Sequence, residues 1–119
     1  MAAPPVNSVR PRIRVYHGEE IALGPGKVNL LEAIERTGTL AEAARSIGIS
    51  YMRAWHLLQT INACFQEALV HTSRGGSGHG GAALTDSGRA VVSAYRRMEA
   101  ESLRALEPGW QEVLRYLAP

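Results

Sequence analysis

The chain has 119 residues, 45% of them hydrophobic and 20% charged, with a formal net charge of +2. This is enough chain for one domain with one core, and too apolar for an intrinsically disordered segment. The lone cysteine, Cys64, excludes an intramolecular disulfide and a paired-cysteine zinc site, and suits a reducing, cytoplasmic setting.

Residues 1–9 lack the charged-then-apolar plan of a signal peptide and are expected to be a flexible tail. No stretch approaches the roughly 18 apolar residues of a membrane span, so no membrane partner is expected. Arg10, Arg12 and Arg14 follow in a cluster. Such charges commonly guard an edge strand, and contact with DNA is the lesser reading. Ile13, Val15 and Ile21, Leu23 alternate with polar neighbours and predict two short strands turning near Gly18.

Gly24-Pro25-Gly26 breaks that pattern, and Pro25 is placed to open a helix. Leu30, Leu31, Ala33 and Ile34 give helical spacing over about 25–37, ended by Gly38. Thr39 followed three residues later by Glu42 is a capping-box pattern and predicts a short helix over 39–46. Gly48 makes a turn, and Ser50 caps the next helix, about 50–65. Its apolar face is Ala54, Leu58, Ile61 and Phe65, which leaves Tyr51, Met52, Arg53 and His56 largely off that face. Two short capped helices around a tight turn make a helix-turn-helix, whose second helix enters the DNA major groove.

Leu69–Thr72 and Ala82–Leu84 read as paired strands around a loop with five glycines in the seven positions 75–81, which makes a wing. Thr85 caps a long helix predicted over about 86–107, ended at Pro108-Gly109 and followed by a short terminal helix. The fold class expected is mainly α (α+β): a winged helix-turn-helix with an N-terminal β-hairpin, a β-hairpin wing and a long C-terminal dimerisation helix. Residues 10–85 are expected to bind DNA and 86–119 to assemble two copies. The apolar side chains Val92, Tyr95, Met98, Leu103, Leu106, Trp110, Val113, Leu114 and Leu117 are the candidate dimer contacts, because this domain is too small to cover them.

Three strings taken together resemble the N-terminal domain of the ModE molybdate-responsive transcription regulators and, more distantly, the LysR-type winged helix. They are Ile49-Ser50-Tyr51-Met52-Arg53-Ala54-Trp55, the Gly-rich run from Arg74 to Gly81 leading into Ala82-Ala83-Leu84-Thr85, and Gly88-Arg89. The resemblance covers about residues 10–107. It implies a homodimer, repression or activation of transcription, and palindromic double-stranded operators. Full-length members carry C-terminal oxyanion-binding domains; the resemblance does not reach these, so no cofactor is expected and an oxyanion effector is not supported by this chain alone.

Arg53 is the leading candidate for reading bases, since a guanidinium bonds guanine O6 and N7 together. The alternative is a solvated arginine. Tyr51 and His56 either touch phosphates and base edges or pack on the helix surface. Met52 is a lesser candidate, for a thymine methyl. Thr39 and Ser50 are caps first and phosphate contacts second. Trp55 is expected to be structural, in the core or bracing the recognition helix against the wing, because large aromatics usually bury. On the wing, Arg74, Ser77 and His79 are expected to meet the DNA backbone or minor groove. An enzyme is not expected: the four histidines show no metal-ligand spacing, and neither a Gly-x-Ser-x-Gly elbow nor a Walker motif is present. The remaining alternative is a winged helix used for protein–protein contact. It is disfavoured by the absence of any acidic residue between positions 43 and 66.

Overall fold

The structure is a computed structural model that describes residues 7–73 and 80–119. A two-stranded antiparallel hairpin, β1 (Val15–His17) and β2 (Glu20–Leu23), leads into α1 (Pro25–Thr37), α2 (Leu40–Ser46) and α3 (Tyr51–Cys64). A second antiparallel hairpin, β3 (Val70–Ser73) and β4 (Gly81–Leu84), follows in the register Val70↔Leu84, His71↔Ala83, Thr72↔Ala82. The chain closes with α4 (Asp86–Leu114). This is the winged helix-turn-helix with both expected hairpins.

The predicted caps sit where the helices begin. Thr39 Oγ1 accepts from the N–H of Glu42 at 3.0 Å, Ser50 Oγ from Arg53 at 3.1 Å, and Thr85 Oγ1 from Gly88 at 3.0 Å. Each bond satisfies a backbone donor that a helix start otherwise leaves free, and is worth about 1 kcal/mol. Between α2 and α3, Gly48 stands at φ 75°, in the left-handed region that a side chain makes costly. That turn directs α3 across α2.

The core lies between α1, α2, α3 and the base of the wing. Val28, Leu30, Leu31, Ala33 and Ile34 of α1 meet Ala43 and Ala44 of α2 and Ala54, Leu58 and Ile61 of α3. The alanines let the helix-turn-helix pair cross closely. Leu69, Val70, Ala82 and Leu84 close the core from the wing side.

Two joints fix the wing to this scaffold. Asn62 on α3 uses its side-chain amide as a strand partner: Oδ1 accepts from Leu69 N–H at 2.9 Å, and Nδ2 donates to Val70 O at 3.2 Å. Ala82 N–H donates to Gly38 O at 2.8 Å, tying β4 to the start of the helix-turn-helix. Next to them Gly88 passes so close to the Leu69 backbone that an added Cβ would overlap that carbonyl oxygen.

Three expectations need correction. Strand β1 begins at Val15, so Ile13 and Arg14 precede it. Residues 7–15 alternate toward the end of the segment, with Val9, Pro11, Ile13 and Val15 half-buried and Arg10, Arg12 and Arg14 exposed.

Pro108 does not end the long helix; α4 runs through it to Leu114 as one element. Proline removes its own N–H and crowds the carbonyl four residues back, and that carbonyl belongs to the exposed Arg104, on a stretch open to water.

Tyr95 is not available to a second copy. It is 1% exposed, and its hydroxyl donates to Ile13 O at 2.7 Å. The first turns of α4 turn their apolar side onto the core, and Tyr95 fills the space beneath the N-terminal segment. Burial, with Glu99 nearby, pushes its phenol above the ordinary value.

Beyond Arg96 the helix leaves the body of the domain, which accounts for the 59 Å long axis of the molecule. Arg96 marks the departure point. Its guanidinium bonds Glu32 at 2.5 Å and Glu99 at 2.7 Å, and it donates to Asn29 at 3.0 Å. Those bonds hold the Glu32 carboxyl below its ordinary value and raise Arg96 further above its own.

Candidate nucleic-acid interface

Helix α3 has two sides of opposite character. Ala54, Leu58 and Ile61 are buried, and the stripe directly opposite, Met52, His56 and Gln59, is exposed. The 3.6-residue period produces both stripes from one sequence. Arg53 stands on one flank of the exposed stripe. Its backbone N–H is held by Ser50, and its guanidinium makes no ion pair among the described residues. Tyr51 and Met52 are more than half exposed, at 52% and 56%.

Of the two structural places expected for Trp55, the core is excluded and the side facing the wing is the one it takes. It is 40% exposed and stands edge-to-face against His56 with ring centroids 5.2 Å apart. The core stripe lies about a quarter-turn away from it, so the indole points sideways toward the wing rather than inward. There it lines a cleft of about 590 Å³ together with Tyr51, Gln59, Thr39, Thr72 and Ser73.

The structure therefore leaves Ser50, Tyr51, Met52, Arg53 and His56 exposed around the start of α3, with Tyr51 and Thr39 on the side of the cleft and Arg53 on the opposite flank. It adds Trp55 and Gln59, which the sequence reading did not select. The spacing of Gln59, three residues after His56, was the available signal. Asn62 was also passed over as a positioning residue, although a mid-helix asparagine is an unfavourable choice unless its amide is used. Arg74, Ser77 and His79 lie outside the described residues.

Helix α3 carries no acid of its own, and Glu20 of β2 borders its far half beside Gln59 and Thr60. The nearest acid on α2, Glu42, is bonded to Arg45 at 2.6 Å. A second hollow, about 680 Å³ between α1 and α4, is lined by Glu32, Glu35, Arg36, Arg89 and Arg96 among others. Its charges are largely tied up in Arg96–Glu32 and Arg89–Glu35 pairs, and it lies away from α3. Among the described residues no group of three or more His, Cys, Asp or Glu is placed to hold a metal ion. No described helix is long and apolar enough to cross a membrane.

No family model matches the chain. Individual relatives do. The chain is 43% identical over 86 residues to the molybdenum transport protein ModE of Azotobacter vinelandii, covering 72% of this chain and 32% of the relative. It is 39% identical over 84 residues to the molybdenum-pterin-binding protein MopA of Rhodobacter capsulatus, covering 71% and 32%. It is 32% identical over 77 residues to the DNA-binding transcriptional dual regulator ModE of Escherichia coli K12, covering 65% and 29%. The chain thus spans about a third of the length of the curated relatives it matches.

Among solved structures it resembles a chain from the crystal structure of a CbnR_DBD–DNA complex. The TM-score is 0.59 at 22% identity, covering 74% of this chain and 95% of that one. Full-length CbnR in complex with its target DNA gives a TM-score of 0.54 at 21% identity, over 71% of this chain and 27% of that one. At such identities the likeness establishes the fold. By sequence kinship and by architecture, the chain is a ModE-like N-terminal helix-turn-helix domain.

Proposed function

We propose that the chain is the DNA-binding part of a sequence-specific transcription regulator that acts as a homodimer in the cytoplasm. Helix α3 lies in the major groove, and the wing, residues 74–81, rests on the backbone or in the minor groove. The observation that carries this reading is the exposed side of α3: Arg53 unpaired among the described residues, beside His56 and Gln59, in a stretch free of acids from 43 to 66. Arg53 reads a guanine, and the hydroxyls of Thr39 and Ser50 hold phosphates. Arg74, Ser77 and His79 supply the wing contacts. Relatives named as transcriptional regulators support a regulatory rather than a catalytic role.

Residues 10–85 make the DNA-binding unit and 86–119 the assembly arm, with the first turns of α4 shared by both. Support for the arm comes from its far half. Within α4, Leu103, Leu106, Trp110 and Val113 are spaced 3, 4 and 3 apart, the repeat of a two-stranded seam, and Leu117 follows just past the end of the helix. The far half of α4 carries Pro108, at a cost of about 3 kcal/mol, and lies beyond the body of the domain, so it gains stability from a second copy. Met98 and Leu114 flank that seam, and Val92 sits half-buried where the seam reaches the domain. An oxyanion effector forms no part of the proposal, because about two-thirds of each molybdenum-related relative lies outside the match.

Titrating the protein into a labelled random-sequence duplex at several salt concentrations tests the proposal. The log of the binding constant should fall linearly with the log of salt, as phosphates displace their counterions. Binding that is absent at low salt would favour the protein-interaction reading instead.

A further inference from the structure

We infer that the cleft between α3 and the wing is a seat for one sugar-phosphate strand of the duplex, and that Trp55 is a DNA-contact residue within it. The inference rests on the proposed placement of α3 and the wing. The major and minor grooves of a duplex are separated by a single sugar-phosphate strand. A helix in one groove and a wing at the next therefore trap that strand between them, and the space between them here is the 590 Å³ cleft.

The lining suits this occupant. One wall is aromatic: Tyr51 and Trp55 are 52% and 40% exposed, an unusual amount of ring surface to leave in water on one turn of helix. A deoxyribose presents apolar C–H faces to such rings. The other side carries hydroxyls, Thr39 from the start of α2 and Thr72 and Ser73 from β3. Thr39 Oγ1 accepts its capping bond from Glu42, which leaves its own O–H proton to donate to a phosphate oxygen. Among the described residues no carboxylate lines the cleft to repel a phosphate. Gly80 and Gly81 keep the base of the wing narrow; a Cβ at either would approach Ser73 to 3.1 and 3.0 Å.

A strand seated this way is recognised by its backbone, so these residues should add affinity without sequence preference. That separates them from Arg53.

The chain has two tryptophans, Trp55 and Trp110, so a Trp110→Phe variant leaves Trp55 as the only indole emitter; because Trp110 lies on the proposed seam, the unchanged chain is titrated beside it and supplies the anisotropy reading of binding. Its emission and its quenching by acrylamide are followed while a labelled duplex is titrated, with label anisotropy as an independent record of binding. The expected result is loss of quenching with the same midpoint as the anisotropy change. Duplex that binds while Trp55 stays as quenchable as in the free protein would overturn the inference and leave the proposed function standing. No binding by anisotropy would remove both.

Trp55→Ala and Thr72→Val provide the second readout. Both sites are on the surface, so the fold is retained. Each should weaken binding by roughly tenfold, the scale of one lost hydrogen bond to phosphate for Thr72 and of one lost ring contact for Trp55, and equally on a preferred and a random duplex. A loss confined to the preferred duplex would show that Trp55 reads a base edge and would contradict the strand seat.

Discussion

The start of α3 and the far half of α4 both hold large apolar side chains in water, and they differ in the charges that surround them. Tyr51, Met52 and Trp55 are accompanied by Arg53 and His56 and by no acid. Leu103, Leu106 and Val113 are interspersed with both signs, Arg104 and Arg115 against Glu101, Glu107 and Glu112. A one-signed basic surface suits a polyanion, whereas a mixed one suits another copy of itself. Exposure of apolar area alone does not name the partner; the charge pattern around it does.

Removing the arm should have the largest effect. Trimming residues 103–119 is expected to halve the mass measured by light scattering. On a duplex with two half-sites it should cost about 10²–10⁴ in apparent affinity, since the second half-site no longer benefits from linkage. A trimmed protein that stays dimeric would place the interface on another face.

The two sides of α3 come next. Leu58, 2% exposed, should lose about 2–5 kcal/mol of stability as Leu58→Ala. Met52→Ala, on the opposite side, should stay within about 0.5 kcal/mol in the same urea titration. Comparable losses at both positions would mean that Met52 packs within the domain and that the exposed stripe is misassigned.

Arg53→Ala should cost about 1–3 kcal/mol of binding on a preferred duplex and far less on a random one. Equal losses on the two would reduce Arg53 to a phosphate contact.

The smallest effect belongs to Arg96, where α4 leaves the body. Arg96 holds Glu32 below its ordinary value near 4.5. A carboxylate depressed in the folded state contributes stability above its unfolded value and loses it as pH falls through the folded one. Both side chains are more than a third exposed, so the contribution should be well under 1 kcal/mol. Glu32→Gln should therefore narrow the gap between urea midpoints at neutral and acidic pH only slightly.

Much of this was legible in the sequence, for physical reasons. The three hydroxyl caps were readable because a cap bond is local, spanning three residues. The core of α3 was readable because burial on a helix is periodic. Gly48 marked a turn that other residues adopt at a cost.

What failed involved contacts distant in sequence, or general rules about single residues. Tyr95 fell into the apolar stripe of α4, but the partner that buries it, Ile13, is 82 residues away. Trp55 was left between the core and a brace against the wing, and its position a quarter-turn from the buried stripe decides for the wing side. Pro108 looked like a stop, although the carbonyl it crowds and leaves without a donor lies on a stretch open to water. Gln59 lacks charge and so drew no notice, and Asn62 acts through strand backbone that sequence does not place beside it.

The central claim is that two copies of α3 read a two-fold DNA site. Selecting bound duplexes from a random pool, at a fixed and stated salt concentration, tests it most directly. The account predicts enrichment of a two-fold symmetric sequence whose half-site centres lie about 34 Å apart or a multiple of that. A pool that emerges without any shared sequence would contradict it.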